Sequence, residues 1–184
     1  MLNPCPGCGA LFPPHEGPVH RYIGASAGCW ALMNWSVMNV NDEETDILRQ
    51  SRVPDTYISI PELPSALSLD ALIGDAYGVQ HHGDDSPQAI QSVAVHLLNL
   101  YGIITGRTTR PRWPIERALR IKCPFHKLEP PAPGSALTIR HLFSGGGVEV
   151  PVSRSQYVYS VYDAWINLHI ATIENWYEEF VVSD

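Results

Sequence analysis

The stretch SRSQYVYSVYDAWINLHIATIENWYEEFV, Ser153 to Val181, decides the fold class. Val158, Val161, Tyr162, Trp165, Leu168, Ile173, Trp176 and Phe180 recur at helical spacing, so one long helix with a broad apolar stripe is predicted. Such a helix needs partners. Ser86 followed by Pro87 supplies an N-cap and a first-turn proline, and Ile90, Val93, Leu97, Leu100 and Ile104 carry a second helix to about Thr105. Ser65 to His81 repeats Leu69, Leu72, Ile73, Ala76 and Tyr77 at the same spacing, with Gly83 placed to stop it. Ser26 to Met38 is apolar on nearly every face and has Ser26 as its cap, as a buried helix requires.

The connections read differently. Asp42 to Asp46 opens a short exposed helix, and Val53 to Pro64 is extended because proline restricts the residue before it. Prolines between Gly106 and Gly134 leave room for one short helix around Ile115 to Arg120. Thr138 to Phe143 fits a short helix or a strand, ended in either case by Gly145 to Gly147. The expected architecture is all-α: one domain over residues 1–184, with an N-terminal zinc knuckle (1–30) packed on a four-helix, bundle-like body (26–181) with long Pro-rich loops.

With 184 residues, 45% of them hydrophobic and 17% charged, the chain can bury a core of its own. Its net charge of -7 offers no basic face for nucleic acid, and Gly106 to Arg112 reads as a solvated loop. No apolar run suits a membrane span and no signal-peptide pattern opens the chain, so a cytoplasmic protein is expected.

Asn3 to Gly17 (NPCPGCGALFPPHEG) is too rich in proline and glycine for a helix, so a metal is the expected fastening. In Cys5-Pro6-Gly7-Cys8-Gly9 the glycines let the backbone turn tightly and aim both sulfurs at one point. A redox CxxC normally opens a helix, which this one does not, and zinc is the expected ion. Two pairs can complete a closed site: His20 with Cys29, or Cys123 with His126.

Several segments together, CPGCGA (5–10), GPVHRY (17–22), GCWAL (28–32), DAYGVQH (75–81), VHL (95–97) and the final helix with Trp165, His169 and Trp176, resemble a bacterial family of uncharacterised proteins. The resemblance implies that His20 and Cys29 complete the zinc set. It lends no activity. His82 stands where that family usually has proline.

A second constellation suggests chemistry. Asp75, Gln80, His81, His96 and His169 lie on or beside the apolar stripes of separate helices. Inward histidines from different helices can build a metal centre with open positions, His81, His96 and His169 as ligands and Asp75 as ligand, orienter or general base. Tyr77, Tyr101, Tyr162 and Trp165 are candidate walls, and His15, His126 and His141 receive no catalytic role. No G-x-S-x-G, H-E-x-x-H or phosphate loop competes. The first functional expectation is a small metal-dependent enzyme, with structural zinc at Cys5, Cys8, His20 and Cys29, a second divalent metal, and hydrolytic or transfer chemistry on a small molecule. The second is a non-catalytic, zinc-stapled protein-interaction module whose histidines are satisfied core residues.

Overall fold

A computed structural model describes residues 1–38, 50–51, 69–108, 113–121, 124–143, 148 and 150–183. Within these the chain is mainly helical, and the N-terminal segment adds a two-stranded ribbon. Strands β1 (Asn3–Pro4) and β2 (Leu11–Phe12) pair antiparallel, Asn3 against Phe12 and Pro4 against Leu11, and hold the CPGCGA turn between them. Gly9, at φ 76°, takes the left-handed conformation that reverses this turn.

Five α-helices are described. Helix α1 (Ala27–Met38) starts at Ser26, whose hydroxyl accepts the Cys29 N–H. Helix α2 (Leu69–Gln80) ends where the sequence places it, while residues 65–68 lie outside the described residues. Helix α3 (Pro87–Ile104) has Ser86 as N-cap, bonded to the Ala89 N–H, and Gly106 follows its end at φ 71°. Helix α4 (Trp113–Ile121) is the short helix expected around Ile115. Helix α5 (Arg154–Tyr177) opens with a reciprocal cap between Ser153 and Gln156 and runs into a π-helical turn over Glu178–Val182.

Thr138–Phe143 resolves as a 3-10 turn over Ile139–Leu142. The expected elements at 42–46 and 53–64, and the glycine triplet 145–147, lie outside the described residues.

Helix α3 is the central element, packing on α2, α4 and α5, and α2 also packs on α5. Polar groups pin α5 in place. Tyr157, fully buried, donates its hydroxyl to Gln80 Oε1 at 3.1 Å, Gln80 Nε2 donates to the Leu137 carbonyl at 2.6 Å, and the Leu137 N–H donates to Ser160 Oγ at 2.7 Å.

The stripe of α5 departs from expectation at one point. His169 adopts φ -132°, ψ 16°, a break in the helical geometry; Trp165, Ile173 and Trp176 are buried, while Leu168, one residue before the break, is 59% exposed. No helix among the described residues is long and apolar enough to cross a membrane.

Candidate metal centre

Cys5 and Cys8 lie on the turn between β1 and β2, Cys29 in the first turn of α1, and His81 directly after α2. Three separate segments therefore converge. One ligand atom from each of the four residues lies within 4.8 Å of all the others, and all four residues are buried, none more than 3% exposed. This Cys3His cluster could hold a metal ion. Two sulfurs about 2.3 Å from a tetrahedral ion stand ~3.8 Å apart; Cys8 Sγ and Cys29 Sγ are separated by 3.9 Å. His81 Nε2 reaches Cys29 Sγ at 3.2 Å.

The surroundings orient the ligands. His81 Nδ1 lies 2.8 Å from the Tyr77 carbonyl, which can only accept, so Nδ1 carries the hydrogen and Nε2 turns its lone pair to the sulfurs. The Tyr77 ring stacks on His81 at 3.9 Å and its hydroxyl donates to Cys29 Sγ at 3.3 Å. The Ser26 N–H donates to Cys5 Sγ at 3.4 Å. Gly7 must lack a side chain, because a Cβ there would lie 2.7 Å from His81 Cδ2.

Electrostatics favour a cation. Burial foremost pushes the Cys8 and Cys29 thiols well up. The Cys5 thiol is pulled far below the thiol range, first by its hydrogen bond with Cys29 and next by that with Cys8. Burial thus favours the protonated forms of Cys8 and Cys29, while hydrogen bonds from these neighbours favour an ionised Cys5. A divalent ion would compensate the repulsion among all three sulfurs and replace the two protons.

His20 is not part of this group, although proximity in sequence favours it. It is exposed, its Nδ1 accepts the Tyr22 N–H at 3.3 Å, and its ring lies 5.4 Å from that of Trp30. His126 packs on Trp176 at a ring separation of 5.0 Å, and Cys123 lies outside the described residues. The residue that sequence reasoning does not assign to this centre is His81. Its position at the end of α2 is the available signal, but nothing in the spacing links it to the cysteines.

The three-histidine centre is not assembled among the described residues, because its members are engaged apart. His81 faces the sulfurs. His96 Nδ1 lies 2.6 Å from Asp75 Oδ1, and Asn99 Nδ2 donates to Asp75 Oδ2 at 2.6 Å. His169, where the helix departs from regular geometry, bonds the Glu129 carbonyl through Nε2 at 2.7 Å in an exposed contact. Asp75 thus bonds His96 and Asn99, and among the described residues no group of possible metal ligands contains His96.

Residues 60–166 match the model of a family of unknown function, DUF5946, over more than half of the chain. The chain belongs to this family. That agrees with the resemblance to an uncharacterised family. The family match spans Asp75, His81 and His96 and leaves out Cys5, Cys8 and Cys29. No curated protein and no solved structure matches the chain.

Proposed function

We propose that this chain is a zinc protein in which Cys5, Cys8, Cys29 and His81 hold the ion as a structural staple, and that it works as a non-catalytic binding module. The observation that carries the reading is the burial of four converging donors, which would fill the tetrahedral shell of a structural zinc and leave no open position for substrate. Three thiolates and one imidazole suit zinc and poorly suit magnesium or calcium, which take oxygen donors. Free thiols of this kind fit a reducing compartment, which favours the cytoplasm. Such an ion would join the N-terminal turn to α1 and to the end of α2 as one unit.

Elemental analysis of protein purified without added metal or chelator tests the assignment. One zinc per chain is expected, retained in His20→Ala and in the His96→Ala/His169→Ala double variant. Two equivalents falling to one in the double variant would restore the second metal centre, and loss of zinc in His20→Ala would replace His81 by His20.

Affinity should also depend steeply on pH. The metal-free form keeps protons on Cys8 and Cys29, whose pKa values burial raises, whereas the bound form has none there. Lowering the pH therefore favours the metal-free form. Release of two protons per ion weakens binding about a hundredfold for each unit of pH lost. Chelator competition at pH 6, 7 and 8 should give a slope near two; a flat profile would show that the thiols are already ionised without metal.

A further inference from the structure

Between α4 and the 3-10 turn, residues 124–132 belong to no helix or strand. Their exposure nevertheless repeats every third residue. Phe125, Leu128, Pro131 and Gly134 are half-buried, whereas His126, Glu129 and Ala132 are exposed. In the remaining row Lys127 and Pro133 are exposed, with Pro130 half-buried between them. A period of three is that of the polyproline II helix. Local chemistry favours the same conformation, because Pro130, Pro131 and Pro133 fix their own φ at about -65° and each keeps the residue before it extended.

The first row anchors this strap to the body. Phe125 packs edge-on against Trp176 and Phe180, at ring separations of 4.9 and 5.5 Å, and Leu128 packs on the core. His169 Nε2 holds the strap from α5 through the Glu129 carbonyl, at 2.7 Å. It ends where Gly134 turns at φ 82° and the Ser135 N–H donates to the Ala132 carbonyl at 3.0 Å. The two outer rows are the open edges. One of them reads Lys127-x-x-Pro130-x-x-Pro133, which lines up one cation and two proline rings. Lys127 Nζ lies 2.8 Å from Asp85 Oδ1, but the two side chains are 44% and 74% exposed, so this surface pair is weak and open to exchange.

We propose that the strap is a docking segment for a partner protein with a shallow, aromatic-lined groove of the SH3 type, carrying an acidic residue placed to take Lys127. The proposal rests on the reading of the chain as a binding module and names the chemistry of its partner. Such grooves take PxxP segments because a preformed polyproline II helix loses little entropy on binding. Here the anchoring row and the His169 contact already hold the segment, so little further ordering opposes association. Lys127 is the single Lys or Arg of residues 124–135 and has Glu129 beside it, too little positive charge for a membrane surface or nucleic acid.

The test titrates isotopically labelled SH3 domains, a panel selected for Lys-x-x-Pro-x-x-Pro ligands, with full-length, zinc-loaded protein. NMR follows the resonances of the aromatic residues in each groove. Wild type should shift them selectively in at least one domain. Pro130→Ala/Pro133→Ala and Lys127→Glu should each weaken that binding about tenfold or more, the effect of losing ~1.4 kcal/mol. Pro131→Ala, on the anchoring row, should weaken it far less. Zinc content measured on the same samples tests the staple separately. One zinc per chain with no shift of any groove at millimolar concentration would overturn the docking proposal and leave the staple standing. Selective binding by protein that lacks zinc would do the reverse. Binding indifferent to Pro130→Ala/Pro133→Ala, or weakened equally by Pro131→Ala, would also overturn the proposal.

Discussion

Cys29→Ala should remove zinc and with it most of the stability of the chain. Cys29 has no exposed surface, and it meets Cys8 Sγ at 3.9 Å, His81 Nε2 at 3.2 Å and the Tyr77 hydroxyl at 3.3 Å. It is the hub of the cluster. Structural zinc sites contribute on the order of 10 kcal/mol of apparent binding free energy, as much as the whole folding stability of an ordinary domain. Loss of one ligand also leaves the Tyr77 hydroxyl buried without its acceptor. We expect a fall of about 5 kcal/mol or more, or on the order of 15 °C in Tm for a chain of this size. Wild-type protein in excess chelator should melt in the same way. Calorimetry with parallel zinc analysis checks both, and a variant that melts like wild type would mean that the cluster is not a staple.

The parts of the molecule legible in sequence are those set by local chemistry. Ser86 and Pro87 start α3 because a hydroxyl cap and a fixed φ act within one turn, and Ser153 with Gln156 starts α5 for the same reason. Cys5 and Cys8 are legible as a pair because the turn that brings them together lies between them. His81 is not, since it lies 52 residues beyond Cys29 and only the docking of α2 on the N-terminal segment brings the two into contact. Nearness in sequence favours His20, whose imidazole instead accepts the Tyr22 N–H at the surface.

Periodicity misleads at His169 for a related reason. A regular helix would carry Leu168 and His169 along the stripe, but His169 departs from helical geometry and bonds the carbonyl of Glu129, a partner 40 residues earlier. For His96 the helical register does place the ring against α2, where Gly78 leaves room for it: a Cβ there would lie 3.2 Å from His96 Cδ2. What it meets there is Asp75, a contact that spacing along α3 cannot reveal.

The dependence of the Cys3His cluster on a close backbone approach yields a second large effect. The segments 22–24 and 81–83 touch at three points: the Ile23–His82 bridge, the Gly24 N–H donating to the His81 carbonyl at 2.8 Å, and Gly83, where a Cβ would lie 2.7 Å from the Tyr22 carbonyl oxygen. In Gly24→Ala the new methyl would lie 2.4 Å from the His82 carbonyl oxygen, a backbone atom that no rotamer change can move aside. The two segments must part, and His81 must move with its own main chain away from the sulfurs. Overpacking of this kind costs about 3 kcal/mol, before any loss of zinc affinity. Gly74→Ala is the matched control, because Gly74 is an exposed position within helix α2 and a Cβ there would meet nothing within 4 Å. Alanine in a helix interior gains about 0.5 to 1 kcal/mol over glycine. Thermal melts should therefore move in opposite directions, down by on the order of 10 °C for Gly24→Ala and up by about 2 °C for Gly74→Ala. In cobalt-substituted protein only the first variant should lose the spectrum of a tetrahedral thiolate–imidazole site. A Gly24→Ala protein with an unchanged melt and spectrum would show that the 22–24 segment can yield without disturbing His81, and would remove the close approach from the account of how the site is held.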